Sequence, residues 1–467
     1  MEDTTTKRTV LFISVLSSFL TPFMGSAVNI ALPSIGKELS ISEVMLNWIT
    51  TSYILTSAIC LVSFGVIADS YGRKKVFLYG IILFTLSSLL CSISSSILTL
   101  LLYRILQGIS GAMIMSTGMS ILISVFPPGE RGKVIGISTS AVYLGLSLSP
   151  FLGGILTQYT GWQSVFLTIV PIGIITTTLI MWKLKGEWKQ PRNGKIDVFG
   201  FLTYPLSLIS LMYGISILPQ PLAWWLITAG FLCLCIFILW EKQHKNPLID
   251  INIFQNNTVF TFSNISGLIN YSATFGVTFL LALYLQYIKG ISPKNSGIIL
   301  LAQTLMMTLF SPFAGRISDK IEPQLVASSG MFLNSIALFM LIFLNENTPV
   351  SFVLVYLAIL GIGFTLFSSP NTNAVMSSIP KSLYGTASGI LGTMRLTGQI
   401  TSMGIIMLIT TLYIGNIQIT PEHYPAFLTS MKISFIVFAS LCFIGNFISI
   451  AHGKLYNNKA DMVPRVK

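Results

Sequence analysis

Of the 467 residues, 53% are hydrophobic and only 9% charged, with 27 Lys and Arg against 15 Asp and Glu and a formal net charge of +12. A soluble chain carries roughly 25% charged residues, so this composition excludes a water-soluble enzyme, a disordered protein and a nucleic-acid binder. A mean hydropathy of +0.78 makes the chain a polytopic helical membrane protein, and its basic excess belongs to loops on the cytoplasmic side rather than to a phosphate-binding patch.

Met1–Val10 is polar, and the apolar stretch after it has no small-residue cleavage site, so it reads as a first span rather than a removable signal. A span needs about 20 apolar residues to cross roughly 30 Å of hydrocarbon. Spans are expected near 10–34, 46–68, 76–95, 98–126, 134–157, 162–183, 198–217 and 222–240, then near 257–288, 295–317, 324–344, 351–376, 384–413 and 429–451. That is fourteen, which puts both termini on one side. Cys60, Cys91, Cys233, Cys235 and Cys442 all fall in apolar runs and read as small hydrophobes.

The loops orient the chain. Lys7 and Arg8, Arg73-Lys74-Lys75, Arg131 and Lys133, and the run from Lys183 to Lys195 lie on alternate connections. Lys242, Lys245, Arg316, Lys320, Lys381, Lys454, Lys459, Arg465 and Lys467 share that face. The other face holds Lys37, Lys289, Lys294 and Lys432, and the positive-inside rule then makes both termini cytoplasmic.

The chain repeats itself. Gly65-Val66-Ile67-Ala68-Asp69 ends the second span as Gly315-Arg316-Ile317-Ser318-Asp319 ends the tenth, 250 residues later, and Gly108, Pro127, Gly132 and Gly136 recur as Gly361, Pro380, Gly385 and Gly389 at an offset of 253. The expected organisation is a six-helix bundle over 1–185, a two-helix insert with its linkers over 186–250, a second six-helix bundle over 251–455 and a tail over 456–467.

Three segments carry mechanism. In Gly65 to Lys75, Gly65 permits close helix approach. Asp69 can accept from the start of a neighbouring helix, and Arg73 can fork onto a carboxylate or helix-end carbonyls. Together with Gly72, Lys74 and Asp319 these would make a lock on the cytoplasmic side, although plain positive-inside anchoring accounts for the basic cluster equally. In the fifth span Pro150 removes a backbone donor, and Gly153 and Gly154 let the bent helix pack closely; a mere kink is the alternative. Arg104 and Arg395 sit inside spans, where an arginine costs a few kcal/mol and tends to face a cavity. Arg104 is near enough to a helix end to snorkel outward, whereas Arg395 lies near the midplane and reads as cavity wall.

Gly65 to Lys75 resembles the signature loop of the major facilitator superfamily. Arg104-Ile105-Leu106-Gln107-Gly108-Ile109-Ser110-Gly111-Ala112 is similar to its fourth-helix motif. Gly145 to Gly154 resembles the antiporter motif, with Ser149 where the family has glycine. Val28 to Pro33 and Gly392 to Gly398 resemble patterns of its drug exporters, and with the extra helix pair the whole chain resembles the fourteen-helix drug:proton antiporter branch. The resemblance implies an all-α major facilitator fold with a substrate site between two bundles at the midplane. It also implies proton relay or gating by Arg104, Gln107 and Gly108, and export linked to Gly145, Pro150, Gly153 and Gly154.

The acids depart from that branch. All 15 fall in loops, tails or helix ends, four of them external (Glu38, Glu43, Glu346 and Glu422), and Met24 stands where the branch often carries a first-helix Asp. A cavity with Arg395 and no fixed negative charge should prefer neutral or anionic amphipathic substrates, and coupled protons would use Asp69, another helix-end acid or the substrate. Asn29, Tyr143, Tyr271, Gln286, Asn371, Asn373 and Gln399 are candidate cavity residues, each with interhelical glue as the alternative. The expected protein is therefore a monomeric multi-pass plasma-membrane exporter whose partners are a small-molecule substrate, protons and the bilayer. No metal, cofactor or nucleic acid is expected. A facilitator or importer of a small metabolite, or a non-transporting sensor, remains open. No G-x-x-x-x-G-K-[ST] loop marks an ATP-driven pump, and His244, His423 and His452 are too scattered for an enzyme site.

Overall fold

The computed structural model describes residues 2–126, 131–184, 186–187, 197–244, 247, 254, 257–379, 384–415 and 417–450. Its helices are α1 Glu2–Leu39, α2 Glu43–Tyr71, α3 Arg73–Ser92, α4 Ile97–Val125, α5 Arg131–Thr160, α6 Gln163–Leu167, α7 Ile169–Lys183, α8 Val198–Ser216 and α9 Pro221–Gln243. There follow α10 Thr258–Leu283, α11 Pro293–Lys320, α12 Pro323–Leu341, α13 Val350–Ser377, α14 Tyr384–Tyr413 and α15 Tyr424–Ile450. The sixth span is broken at Thr168 into α6 and α7, and α10 runs on through a π-turn at Tyr284–Ile288. Fourteen segments are long and apolar enough to cross a membrane, as the hydropathy requires. Among the described residues there is no strand. The tail 456–467 and most of the linkers flanking α8 and α9 lie outside the described residues.

Local chemistry sets the helix starts. Ser42, Ser96, Asn257 and Ser292 each accept from a backbone N–H three residues on, satisfying donors that a helix start leaves open. Proline opens α9, α11 and α12, where its missing N–H is harmless.

The two sets of six spans pack alike. In the first, α1 lies on α5, α2 on α4, α4 on α3 and α3 on α7. In the last, α10 lies on α14, α11 on α13, α13 on α12 and α12 on α15. The likeness reaches single atoms. A Cβ on Gly108 would stand 2.6 Å from the Tyr53 carbonyl, and one on Gly361 would run into the carbonyl of Gln303, which follows Tyr53 by 250 residues. Gly145 faces the Phe19 carbonyl at 2.7 Å as Gly398 faces that of Leu268 at 2.5 Å. Small residues are needed at these points because helices in lipid associate by close packing, not by exclusion of water.

Between the sets, α5 packs on α11, α2 on α14 and α1 on α10. These seams hold in the half of the molecule away from the start of α1 and the end of α15, here the distal half. There Gln286 Nε2 donates to the Ile30 carbonyl at 2.9 Å, Asn47 Nδ2 to that of Met403 at 3.3 Å and Gln418 Nε2 to that of Gly36 at 3.4 Å. Toward the terminal face the seams part: a Cβ on Gly65 or Gly389 would meet nothing within 4 Å. The close approach expected at Gly65 is therefore absent in this conformation, because no neighbouring helix comes within 4 Å of its Cβ position.

The extra pair, α8 and α9, packs mainly on itself, and α8 alone rests on both α2 and α14. Asp197 ties the pair together at its terminal-face end, accepting from Gly200 N at 3.1 Å and from Trp240 Nε1 at 3.0 Å. Burial pushes the Asp197 carboxyl up, but hydrogen bonds from Gly200, Glu241 and Trp240 outweigh it and hold the carboxyl below its ordinary range. The outer face of α9 is apolar and exposed (Phe231, Leu232, Ile236), with Trp224 and Trp225 toward one end and Trp240 toward the other, as in the aromatic belts of a bilayer.

Glycine contacts make this architecture sensitive to single methyl groups. Gly361→Ala, which pushes into the Gln303 backbone, should lower stability in detergent by about 1–3 kcal/mol, the usual cost of overpacking. Gly389→Ala has open space and should leave it unchanged; thermal unfolding read by size-exclusion chromatography compares the two.

Candidate functional site

Where the seams part, a polar cluster forms at mid-depth from both bundles. Tyr271 on α10 places its hydroxyl 3.5 Å from Ser368 Oγ on α13 and its ring edge-on to Phe364, centroids 5.5 Å apart. Tyr143 on α5, from the other bundle, lies near the same Ser368 and acts electrostatically with Tyr271. Arg395 on α14 acts electrostatically on both Tyr143 and Tyr53 of α2, is half-buried, and leaves its Nε without a hydrogen-bond partner. Among the described residues no carboxylate acts on Tyr53 or Tyr143. Gln399 follows Arg395 by one helical turn and is half-buried on the same side of α14. Asn371, 5% exposed, lies at the edge of this region, its Nδ2 3.3 Å from where a Cβ of Gly267 would stand.

Three candidates lie elsewhere. Asn29 accepts from Thr50 Oγ1 at 3.0 Å between α1 and α2, inside the first bundle. Gln286 spends its amide on the distal seam. Asn373 donates to Ser318 Oγ at 3.4 Å, near the terminal-face end of α11. Each does what polar side chains do most often in membrane helices, which is to join neighbours. Tyr53 and Ser368 are cluster members that the sequence reading missed; the run Asn47, Thr50, Thr51, Ser52, Tyr53 along α2 was the available signal.

Arg104 does not snorkel, and it touches the cluster only through the Tyr53 ring. It is fully buried within the first bundle, where Nε donates to the Ile49 carbonyl at 3.0 Å and Nη1 to Gln107 Oε1 at 2.5 Å. Gln107 Nε2 in turn donates to Ser88 Oγ at 2.7 Å. The guanidinium lies over the Tyr53 ring, 4.5 Å from its centroid, a cation–π contact that replaces a missing counter-ion. Gly108 lets α4 approach α2 closely enough for these bonds to form.

The motif Gly145, Pro150, Gly153, Gly154 fastens α5 on two sides. A Cβ on Gly145 or Gly153 would stand 2.7 or 3.0 Å from an α1 carbonyl and one on Gly154 2.5 Å from the Pro293 carbonyl of α11, while one on Gly297 would run into the Pro150 carbonyl. One turn further, Ser147 Oγ lies 2.8 Å from Thr308 Oγ1. This is the backbone contact that closes the distal half.

At the terminal face, Arg73 Nη1 donates to Ser124 Oγ at 2.9 Å, near the end of α4. Gly72 adopts φ 122°, and the space a Cβ would need is taken by the carboxylate of Glu187, 2.5 Å away. Glu187 Oε1 accepts from Lys74 N at 2.8 Å, at the start of α3, where helix-end amides favour an anion. The sequence reading missed Glu187. The side chains of Asp69 and Asp319 lie outside the described residues.

The Major Facilitator Superfamily profile matches residues 14–403, and the chain belongs to that family. It is 30% identical over 444 residues to the riboflavin transporter RibZ of Clostridioides difficile, covering 95% of this chain and 97% of that one. The multidrug resistance protein Stp of Mycobacterium tuberculosis is 29% identical, with 86% and 75% covered. The tetracenomycin C resistance and export protein of Streptomyces glaucescens is 28% identical, with 84% and 73% covered. Among solved structures, a bacterial homologue of the human lysosomal transporter Spinster superposes with a TM-score of 0.68 at 16% identity, over 95% of this chain and 96% of that one.

The Arg104 network predicts a test of its own. Arg104→Lys keeps the charge but loses the fork and the ring contact. It leaves buried acceptors unpaired at about 1–3 kcal/mol each, so the variant should unfold at a lower temperature in detergent than the parent chain.

Proposed function

We propose that this protein is a secondary active transporter that exports amphipathic, largely aromatic small molecules by alternating access, driven by proton antiport, with neutral and anionic compounds favoured over cationic ones. The observation that carries the substrate class is the mid-depth cluster of Arg395, Tyr53, Tyr143 and Tyr271, which no carboxylate compensates. An arginine there offers a charge-assisted donor to an acid or carbonyl, and three phenol rings offer stacking faces. A quaternary cation would meet a like charge. The distribution of Lys and Arg supports cytoplasmic termini in a plasma membrane, so the parted face opens inward and the sealed half faces outside. Export is supported by the helix 5 glycine–proline contact that closes the outer half, and by the names of the drug-resistance relatives. The lock residues Gly65, Asp69, Gly72, Arg73, Lys74 and Asp319 belong to the inner gate in this reading, and Arg104, Gln107 and Gly108 hold α2 and α4 as one rigid unit.

A second reading has a specific support. RibZ is named a riboflavin transporter, and riboflavin is a flat, uncharged heterocycle with a polar tail that suits the same cluster. Uptake or exchange of such a metabolite on this fold is the alternative.

Accumulation of a charge-sorted panel, riboflavin included, in cells with and without the protein tests both readings. Export of acids and neutral aromatics, abolished when the proton gradient is collapsed, supports the first; net uptake of riboflavin alone supports the second. Strong export of quaternary ammonium compounds, or flux indifferent to the gradient, would contradict the corresponding part of the proposal. Arg395→Gln should cut transport of an anionic substrate roughly 10–100-fold, the worth of one hydrogen bond to a charged group, and that of a neutral one far less.

A further inference from the structure

The sealed outer half contains one acid that no motif draws attention to. Glu43 is the first residue of α2, and a reading from sequence leaves it as an external helix-end carboxyl in contact with water. The structure encloses it at 1% exposure. Its backbone N–H donates to the Ile417 carbonyl at 3.3 Å, in the connection between α14 and α15, and Thr410 Oγ1 of α14 donates to its Oε1 at 3.4 Å. Oε2 is buried and has no hydrogen-bond partner among the described residues. Glu43 thus lies on the α2–α14 seam, joined on the far side only to the second bundle.

Among the described residues no compensating cation acts on it. The titratable groups near it are phenols: Tyr287 of the α10 extension acts on Glu43 electrostatically, and Tyr424 of α15 acts on Tyr287. Tyr287 also closes over α1, its hydroxyl 3.1 Å from where a Cβ of Gly36 would stand. Of the lysines at this face, Lys37 is exposed to solvent and Lys289 donates to the Glu346 carbonyl. One weak donor and the start of a helix face one oxygen, and nothing faces the other. A carboxylate in that position is poorly solvated when the seam is shut, whereas in the opened seam water reaches it. A neutral carboxylic acid fits the shut seam without that cost.

We propose that Glu43 is the outer-gate carboxyl of the transport cycle, which takes up a proton from outside as the outer half closes and gives it up only when that half opens. The inference rests on the alternating-access reading above and deepens it by naming a residue on which external pH acts; the Glu43 proton returns to the outside and is not the one exchanged for substrate. The sign follows from linkage. The shut form binds one more proton than the open form, so falling external pH favours closure and rising pH favours opening. The ratio of the two forms changes by about tenfold per pH unit where uptake is complete.

The test needs no substrate. Leu46, buried at 2% and packed on the Gly36 side of the seam, is replaced by cysteine in the full-length chain. Labelling by a membrane-impermeant maleimide is followed in intact cells from pH 5 to 9, above the labelling of the parent. Dividing the Leu46→Cys rate by that of Leu46→Cys with Glu43→Gln removes the reagent's own pH dependence. The ratio should rise as pH is raised, by up to about tenfold per unit, because the glutamine mimics the protonated acid and keeps the seam shut. A ratio that stays flat overturns the proposal. Glu43→Asp should still titrate, so its rate divided by that of the glutamine variant should also rise with pH; if the glutamine variant fails to accumulate, Glu43→Ala supplies the non-titrating denominator. A profile for Asp identical to that of Gln also overturns it. Flux in the wild-type chain separates the two claims: a titrating ratio with flux indifferent to the proton gradient refutes antiport and leaves the gate, whereas gradient-driven flux with a flat ratio does the reverse.

Discussion

Everything in this molecule hangs on how closely two helix backbones can approach at a few glycines. In a bilayer the gain from excluding water is gone, and association depends on packing and on a small number of hydrogen bonds. Gly145 and Gly153 bring α5 onto α1, and Gly154 and Gly297 bring it onto α11. Because these contacts are made by backbone, they have one geometry rather than a continuum. The distal half is either shut or open, and a packed interface with two such states is what alternating access requires.

The consequence for electrostatics is that ionisable groups are used sparingly, with Glu43 and Arg395 between the bundles and Arg104 inside one of them. Arg104 is held by three partners, the Ile49 carbonyl, Gln107 and the Tyr53 ring, although its Nη2 is buried without a hydrogen bond among the described residues. Arg395 has no such cage: its Nε is buried and free of hydrogen bonds among the described residues, and it acts electrostatically on the phenols of Tyr53 and Tyr143. Two arginines with the same intrinsic expense therefore have different standing. The first is a structural cross-brace holding α2 and α4, and the second is a donor whose acceptor is not supplied by the chain. Tyr53 links them, with its ring under Arg104 and its electrostatic environment shared with Arg395. A change at the cluster is thus felt by α2, the helix that carries the distal seam to α14.

Much of this was legible in the sequence, for reasons that differ by residue. The fourteen spans were readable because hydrocarbon thickness dictates their length, and the repeat because the offsets of 250 and 253 persist through motifs that the fold uses twice. The membership of the cluster was readable only in part. Tyr143, Tyr271 and Arg395 were named from residue type and depth, yet Asn29, Gln286 and Asn373 have the same type and a plausible depth and face elsewhere. The polar residues of these helices occur on every side, so helical periodicity gives no direction. Glu43 was misjudged for a different reason: burial at a helix end depends on the segment around Ile417 and on Thr410, almost 370 residues away, and no local pattern reports that. Glu187 likewise fills the space beside Gly72 only because the chain after α7 returns to the start of α3.

The inserted pair has a place in the same argument. If α8 and α9 were a mere appendage, α8 would rest on one bundle, but it rests on α2 and α14 together, along the seam that parts toward the terminal face. Any rocking of one bundle against the other must slide over α8. The contact surface suits that: Met212, unbranched and adaptable, places its sulfur 3.2 Å from the Cβ position of Gly404, and no ion pair between α8 and either bundle has to break among the described residues. Asp197 and Trp240 meanwhile hold α8 to α9 rather than to α2 or α14. The pair is therefore stiff within itself and loosely attached to both bundles, which is the arrangement a cover over a moving seam needs and a fixed strut would not have.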